Sequence, residues 1–189
     1  MAKLIYIANA SLDGYTEDAR GEFAFTEPSE EVLAFITDLV RPTGIQLYGR
    51  RMYETMAVWE TDPTLASQSD LMADWAGVWQ AADKVVYSTT LQGVWTAKTR
   101  LEPRFDAESL RAMKTSADRD LTIGGPTITA QAFDAGLVDE CRILVYPVVV
   151  GAGKAAFLGD TRLQLELLEE HRFDNGVVYL RYRVDSPDA

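Results

Sequence analysis

Short apolar, β-rich runs alternate with stretches of helical period along most of this chain, and no other feature restricts its fold as much. "KLIYIAN" (Lys3–Asn9), "IQLY" (Ile45–Tyr48), "KVVYS" (Lys84–Ser88), "DLTI" (Asp120–Ile123) and "ECRILVYPVVV" (Glu140–Val150) read as strands. "TAKTRLE" (Thr96–Glu102) reads as a further, more exposed strand, and the Glu140–Val150 run is too apolar for a sheet edge. Strands separated by helices pair in parallel, because the crossover returns the chain to the same end of the sheet, and such a sheet is covered on both faces. The end of the chain differs. "LQLELLEEHRFDNGVVYLRYRV" has a turn signal at Asp174-Asn175-Gly176, and Val178, Leu180, Tyr182 and Val184 alternate with polar residues, which predicts an antiparallel hairpin. The expectation is a three-layer α/β/α unit with a mostly parallel central sheet of about eight strands and a C-terminal antiparallel hairpin. The length of 189 residues favours a single domain over residues 1–189.

The helical stretches carry their own start and stop signals. In "SEEVLAFITDLV", Val32, Leu33, Ile36, Leu39 and Val40 share one face, Ser29 can cap the start, Glu30 and Glu31 suit the positive end of the dipole, and Pro42 and Gly44 stop it. "RRMYETM" follows Gly49, and a loop containing Pro63 follows that. "SDLMADWAGVWQAA" spaces Leu71, Met72, Trp75, Val78, Trp79 and Ala82 as one buried stripe, so its tryptophans are read as core rather than as a ring-stacking site. "DAESLRAMKTSA" is a helix capped by Asp106, and "PTITAQAFDAG" a helix started by Pro126 and closed by Gly136.

Charge and rare residues exclude several functions. The formal net charge is −11, so nucleic acid and anionic membranes are poor partners. The single cysteine, Cys141, cannot form an intrachain disulfide and reads as a buried core thiol; with one histidine, no metal site is expected. The apolar run at the amino terminus becomes polar at Asn9, too early for a signal peptide, and no run approaches the roughly 20 residues of a membrane span. A cytoplasmic protein with a small-molecule substrate is the expectation. The apolar "YPVVV" run and the hairpin are candidate surfaces for a homodimer.

In open α/β sheets, ligands bind at the carboxyl ends of the parallel strands. Strand one leads into "NASLDGYT", strand two into "GRRMYE", strand three into Ser88-Thr89-Thr90, and "LTI" into Gly124-Gly125-Pro126-Thr127. A glycine before a helix exposes free N–H groups, and Arg50 and Arg51 add donors that fit phosphate oxygens. Gly124 and Gly125 allow close backbone approach, and Pro126 pre-sets the first helical turn. The stretch matches neither GxGxxG nor a Walker loop. Several anion-suited junctions on one sheet edge suit an extended ligand such as a dinucleotide.

With these motifs in hand, the chain resembles the dihydrofolate reductase-like superfamily, and within it the reductase domain of bacterial riboflavin biosynthesis (the C-terminal half of the bifunctional deaminase–reductase) and its stand-alone relatives. The carriers are "ASLDG", "LYGRRMYE", "VVYSTT", "LTIGGPTITAQAFDAGLVDE" and "YPVVVGAGKAAF", in that order over nearly the whole chain. The resemblance implies a dihydrofolate reductase-like fold and NADPH as hydride donor, with 5-amino-6-(5-phosphoribosylamino)uracil reductase as the nearest activity. It implies that Gly49, Arg50 and Arg51 meet the 2′-phosphate and pyrophosphate, that Ser88, Thr89 and Thr90 flank the adenosine, and that Gly124, Gly125, Pro126 and Thr127 hold the pyrophosphate and nicotinamide ribose. Ser11, Asp13 and Gly14 would border nicotinamide and substrate, "VVVGAGKAAF" would form another wall, and Lys154 is a candidate for a substrate phosphate.

Two departures keep alternatives open. Dihydrofolate reductase has a tryptophan and then an acid where the first helix starts. This chain reads "FTEPSEEV", with Glu27, Glu30 and Glu31 as the acids and no tryptophan. The His/Cys zinc signature of the deaminase half is absent as well. Asp13 is the acid read as nearest the chemistry, although Asp-Gly is also a turn former; His171 is read as structural or surface. The alternatives are a true dihydrofolate reductase, or a non-catalytic module that kept its nucleotide pocket.

Overall fold

The computed structural model describes residues 1–159 and 162–185; the expected unit of residues 1–189 also includes 160–161 and 186–189, which lie outside the described residues. The strands are β1 (Leu4–Ser11), β2 (Tyr15–Asp18), β3 (Ile45–Gly49), β4 (Asp83–Tyr87), β5 (Thr99–Glu102), β6 (Leu121–Gly124), β7 (Glu140–Tyr146), β8 (Gly153–Ala155), β9 (Leu165–Arg172) and β10 (Val178–Val184). The helices are α1 (Glu30–Val40), α2 (Arg50–Met56), α3 (Val58–Thr61), α4 (Pro63–Ala66), α5 (Asp70–Ala81), α6 (Ala107–Ser116) and α7 (Pro126–Asp134).

Eight strands form the main sheet in the order β5-β4-β3-β6-β1-β7-β10-β9. The strands from β5 to β7 run parallel, while β10 is antiparallel to β7 and β9 to β10. Both faces are covered. Tyr6, Leu47, Ile123, Cys141 and Ile143 meet Leu110 of α6 and Ile128, Ala132 and Phe133 of α7. On the other face, Leu144, Tyr146 and Tyr179 pack against Val32 of α1, and Tyr48 and Val86 against Tyr53 of α2 and Trp79 of α5. The sheet is therefore the middle of three layers. Trp79 and Trp75 sit in the core, and burial pushes the Cys141 thiol up to about 12. Side-chain caps start four helices: Ser29 accepts from Val32 N, Asp62 from Thr64 N, Ser69 from Met72 N and Asp106 from Ser109 N. No helix among the described residues is long and apolar enough to cross a membrane.

Several elements differ from the sequence reading. β1 continues past Asn9 to Ser11, because its register with β7 holds as far as Ser11 opposite Tyr146. Ser11 therefore belongs to a strand rather than a loop. The loop around Pro63 contains two single-turn helices, with Asp62 capping the second and Pro63 at its first position. Next to β1, β2 and β8 pair antiparallel as a separate two-stranded flap that joins Tyr15–Asp18 to Gly153–Ala155. On β10, Tyr179, which falls between Val178 and Leu180 in the alternation, is fully buried, since α1 covers that face as well. The same helix explains His171, whose ring stacks on Phe35 with centroids 5.5 Å apart.

At the amino ends of the parallel strands lies a buried charge cluster. The Glu140 side chain is 2% exposed and meets Lys3 Nζ at 2.7 Å, Arg181 Nε at 2.9 Å and Arg142 Nη2 at 3.0 Å. Such a cluster belongs to the folding of the sheet, because it lies at the opposite end from the strand-to-helix junctions.

Candidate active site

The parallel topology carries the carboxyl ends of β3, β4, β5 and β6 to one edge of the sheet, and a cleft of about 380 Å³ opens along that edge. Gly49, Arg50 and Arg51 line it from the β3–α2 junction, Ser88 and Thr89 from the end of β4, Gly125 and Thr127 from the β6–α7 junction, and Lys154 from β8. Eight of the residues singled out from sequence thus share one cavity. Thr90, Gly124 and Pro126 do not line it. Gly124 and Pro126 are buried behind the wall, and Thr90 is exposed beside it, its N–H donating to Ser88 Oγ at 3.2 Å.

The cleft is built to receive an anion. Four cations line it (Arg50, Arg51, Arg104 and Lys154), and none of its lining residues is acidic, in a chain with 29 Asp and Glu. Two helices begin on it, α2 after Gly49 and α7 after Gly125, and neither start has a side-chain cap. The first N–H groups of α2, and those of α7 that follow Pro126, therefore have no partner from a capping side chain, and the helix dipoles add positive potential. Gly125 has φ +95°, a conformation that side-chain-bearing residues rarely adopt, and its carbonyl accepts both the N–H and the hydroxyl of Thr129. That turn aims the start of α7 into the cleft. The cations are not equally available. Arg50 meets Glu54 at 3.6 Å on its own helix, and Arg51 meets Glu17 of β2 at 3.0 Å.

The residues after β1 are organised by the flap. Ser11 is 1% exposed and its Oγ accepts the N–H of Tyr15 at 2.9 Å. Asp13 reaches across to the 147–156 loop and accepts N–H groups from Val150 at 3.2 Å and Gly151 at 2.7 Å. A hydrogen bond from Ser11 and these backbone donors hold its carboxyl below the usual carboxylate range. An acid held in that way is poorly suited to donate a proton, so its visible work is to clasp two loops together. Ala156 N donates to Gly14 O at 2.8 Å, and the buried Tyr6 hydroxyl donates to Ala156 O at 2.6 Å, which ties the clasp to β1. Ser11, Asp13 and Gly14 therefore lie on the flap side and not among the residues lining the cleft. Lys154, read as a substrate residue, lines the cleft together with the arginines. Glu30 and Glu31 sit in the exposed first turn of α1, and Glu27 is exposed as well.

Gly153 holds the flap closed. A Cβ there would fall inside contact distance of the Glu17 carbonyl oxygen, and its φ is +151°. Gly153→Ala should therefore separate β2 from β8. Backbone amides of Tyr15–Asp18 should exchange at least tenfold faster while those of β1 and β7 keep their protection. Unchanged exchange in the flap would show that the close approach is not what holds the pair.

The sequence reading missed Tyr87, Arg104, Phe105, Ile128 and Gln131, all of which line the cleft. A signal for two of them was present. Thr96–Glu102 reads as a strand, and the residues after its carboxyl end form a junction of the same kind as those after the other parallel strands. β5 lies parallel to β4, so "PRF" (Pro103–Phe105) arrives at the same edge.

Comparison with known proteins gives a consistent picture. The sequence model of the RibD C-terminal domain family matches residues 2–179. The uncharacterized protein YyaP of Bacillus subtilis (strain 168) is 25% identical over 184 residues, covering 95% of this chain and 94% of that one. The fold is similar to that of a Shewanella sp. PV-4 protein assigned provisionally to riboflavin biosynthesis (TM-score 0.76, 19% identity, 98% of this chain and 99% of that one). It is also similar to a Thermotoga maritima diaminohydroxyphosphoribosylaminopyrimidine deaminase/5-amino-6-(5-phosphoribosylamino)uracil reductase (TM-score 0.66, 12% identity, 97% of this chain and 57% of that one). A third similar structure is dihydrofolate reductase from Enterococcus faecalis complexed with NADP(H) and RAB-propyl (TM-score 0.66, 12% identity, 97% and 96%).

Proposed function

Because this chain belongs to the RibD C-terminal domain family, we propose that it is a reductase that uses NADPH on a small heterocyclic or carbonyl-type substrate, similar to 5-amino-6-(5-phosphoribosylamino)uracil reductase. The observation that carries this reading is the cleft itself, with four cations, no acidic lining residue and two uncapped helix starts at one sheet edge. In an acidic chain such a concentration of positive potential suits a ligand with several phosphates.

In this reading the cleft residues divide the cofactor among them. Gly49, Arg50 and Arg51 take phosphate oxygens at the start of α2, and Ser88, Thr89 and Thr90 flank the adenosine. Gly124, Gly125, Pro126 and Thr127 bring the backbone and the start of α7 to the pyrophosphate and nicotinamide ribose. NADPH, when bound, supplies the hydride. The protein's own task is placement. The end of β1 and the turn that leads into the flap, with Ser11, Asp13 and Gly14, border the reacting end, and Asp13 holds that border through Val150 and Gly151. With the Asp13 carboxyl kept ionised, the proton that completes reduction comes from water or from a substrate group. Lys154 meets phosphate, of the cofactor or of a ribose-phosphate substrate. The homodimer proposed for this chain would cover the edge strand β9, where Leu165, Leu167 and Leu168 are exposed.

Titration with NADPH, read by energy transfer from tryptophan to the nicotinamide, tests the reading. Trp95 is half exposed on the loop that follows Ser88–Thr90, so a bound nicotinamide cofactor should quench it. The expected result is saturable quenching that is stronger with NADPH than with NADH and weakens as salt rises. No saturable signal with either cofactor would overturn the proposal. Hydride consumption on dihydrofolate rather than on the pyrimidine substrate would identify a folate reductase. Binding with no turnover of either would identify a nucleotide-binding module.

A further inference from the structure

The helix layer that covers one face of the sheet leaves part of β1 uncovered. Along this strand Leu4, Tyr6, Ala8 and Ala10 face α6 and α7, so Ile5, Ile7, Asn9 and Ser11 face the layer of α1, α2 and α5. β1 is a central strand, between β6 and β7, yet Ile7 and Asn9 are only partly buried while its other residues are buried. The helices account for the gap. α1 lies over Leu144, Tyr146 and Tyr179 of β7 and β10, and α2 and α5 lie over Tyr48 and Val86 of β3 and β4. Arg41, the residue after α1, meets Asp74 of α5 at 2.6 Å and closes the layer at the amino ends of the parallel strands. The gap over β1 therefore opens toward their carboxyl ends, where Gly125 turns into α7.

Asn9 is the polar residue on the floor of this gap. Its side chain makes no hydrogen bond among the described residues. Ile7, two residues back on the same face, supplies an apolar neighbour. On the next strand Tyr146, in register with Ser11, stands on that face about 8 Å from Asn9. It is 4% exposed, and its hydroxyl has no partner among the described residues. Buried polar groups are nearly always paired, so two unpaired ones on one face suit a polar ligand that completes the bonding. α1 starts at this edge, and the charges it brings are the acids Glu27, Glu30 and Glu31, which favour an uncharged group over a phosphate there. A carboxamide offers an acceptor and a donor side by side. Its complement is a cyclic amide, whose N–H and C=O are neighbours on one edge of a ring.

We infer that Asn9 is a specificity-determining contact for the substrate ring: Oδ1 accepts the N–H of a cyclic amide, Nδ2 donates to its carbonyl, and the ring lies over Ile7. This rests on the NADPH reading above, which puts the reacting end beside Ser11 and Asp13. Two ring probes test it on protein saturated with NADP+, so that no hydride is transferred. Quinazoline-2,4-dione carries the cyclic amide, and its 1,3-dimethyl derivative lacks both N–H groups. Calorimetry should show that the wild type prefers the dione by at least tenfold. N9L should weaken the dione about 10- to 100-fold, the loss of two hydrogen bonds, and change the dimethyl derivative less than about threefold. N9S, which adds no bulk, should lose the same preference. Melting curves and NADPH titration should match wild type for both variants. A wild type that binds NADPH but does not prefer the dione, or a preference that survives in N9L and N9S, overturns the inference while NADPH use stands. A wild type that binds no NADPH removes both.

Discussion

Gly125→Val is expected to reduce NADPH affinity by more than about 100-fold while leaving a folded protein. The reason is conformational rather than steric. The nearest atom to a Cβ at this position is Met52 Cβ at 3.5 Å, an ordinary contact, so there is room for a side chain. The backbone is the obstacle. Gly125 has φ +95° and ψ 120°, and a β-branched residue held there costs on the order of 1–3 kcal/mol. The chain can relieve that strain only by rotating the peptide that sets the direction of the first N–H groups of α7. β6 and the body of α7 keep their core contacts through Ile123, Ile128, Ala132 and Phe133, so the loss should be local. Circular dichroism and a melting curve report folding, and tryptophan-to-nicotinamide transfer reports binding. Gly125→Ala, with the same φ conflict and less bulk, should fall between the two. A folded Gly125→Val protein that binds NADPH within threefold of wild type would mean that the turn is only a turn.

The second large effect concerns stability and is remote from the cleft. Burial alone would raise the pKa of Glu140, but hydrogen bonds from Arg181, Lys3 and Arg142 outweigh it and bring the carboxyl down to about 2, below its ordinary 4.5. A carboxyl depressed on folding adds stability that is fully present above the unfolded pKa and is lost as protons bind. The contribution should therefore be complete above pH 4.5 and should disappear as pH falls from there toward about 2. Glu140→Gln keeps the shape but leaves Lys3, Arg142 and Arg181 without their shared anion, and of these Arg142 is only 11% exposed. Removing one partner of a buried ion cluster costs about 3–5 kcal/mol. Urea unfolding at neutral pH should show that loss, and the variant should lack part of the wild-type decline in stability on the acid side. A variant within about 1 kcal/mol of wild type at neutral pH would mean that the cluster contributes no more than a surface ion pair.

These two sites were not equally legible. Gly124-Gly125-Pro126 announced itself, because a strand run, two flexible residues, a fixed φ and a helical period adjoin one another within a few residues. Glu140 did not. Its partners are Lys3 just before β1, Arg142 on β7 and Arg181 on β10, and Arg181 reaches it only because β10 lies beside β7. In the sequence "DECRI" looked like the polar start of a buried strand, and that was all the local pattern could convey.

The fold class, the parallel order imposed by helices between strands, the terminal hairpin and most junctions of the cleft followed from sequence alone. Periodicity, capping residues and turn residues act over a few positions, and the rule that parallel strands share an active edge carries them into three dimensions. What the sequence left undetermined depends on contacts between distant residues. The flap of β2 and β8 joins residues more than a hundred positions apart. Asp13 proved to clasp Val150 and Gly151, Arg51 to face Glu17, and Arg104 to share a cleft with Arg50. Hydrophobic period says which face of a strand is buried. It does not say which charge on one loop will meet which donor on another, and that pairing depends on where the packed sheet brings the loops together.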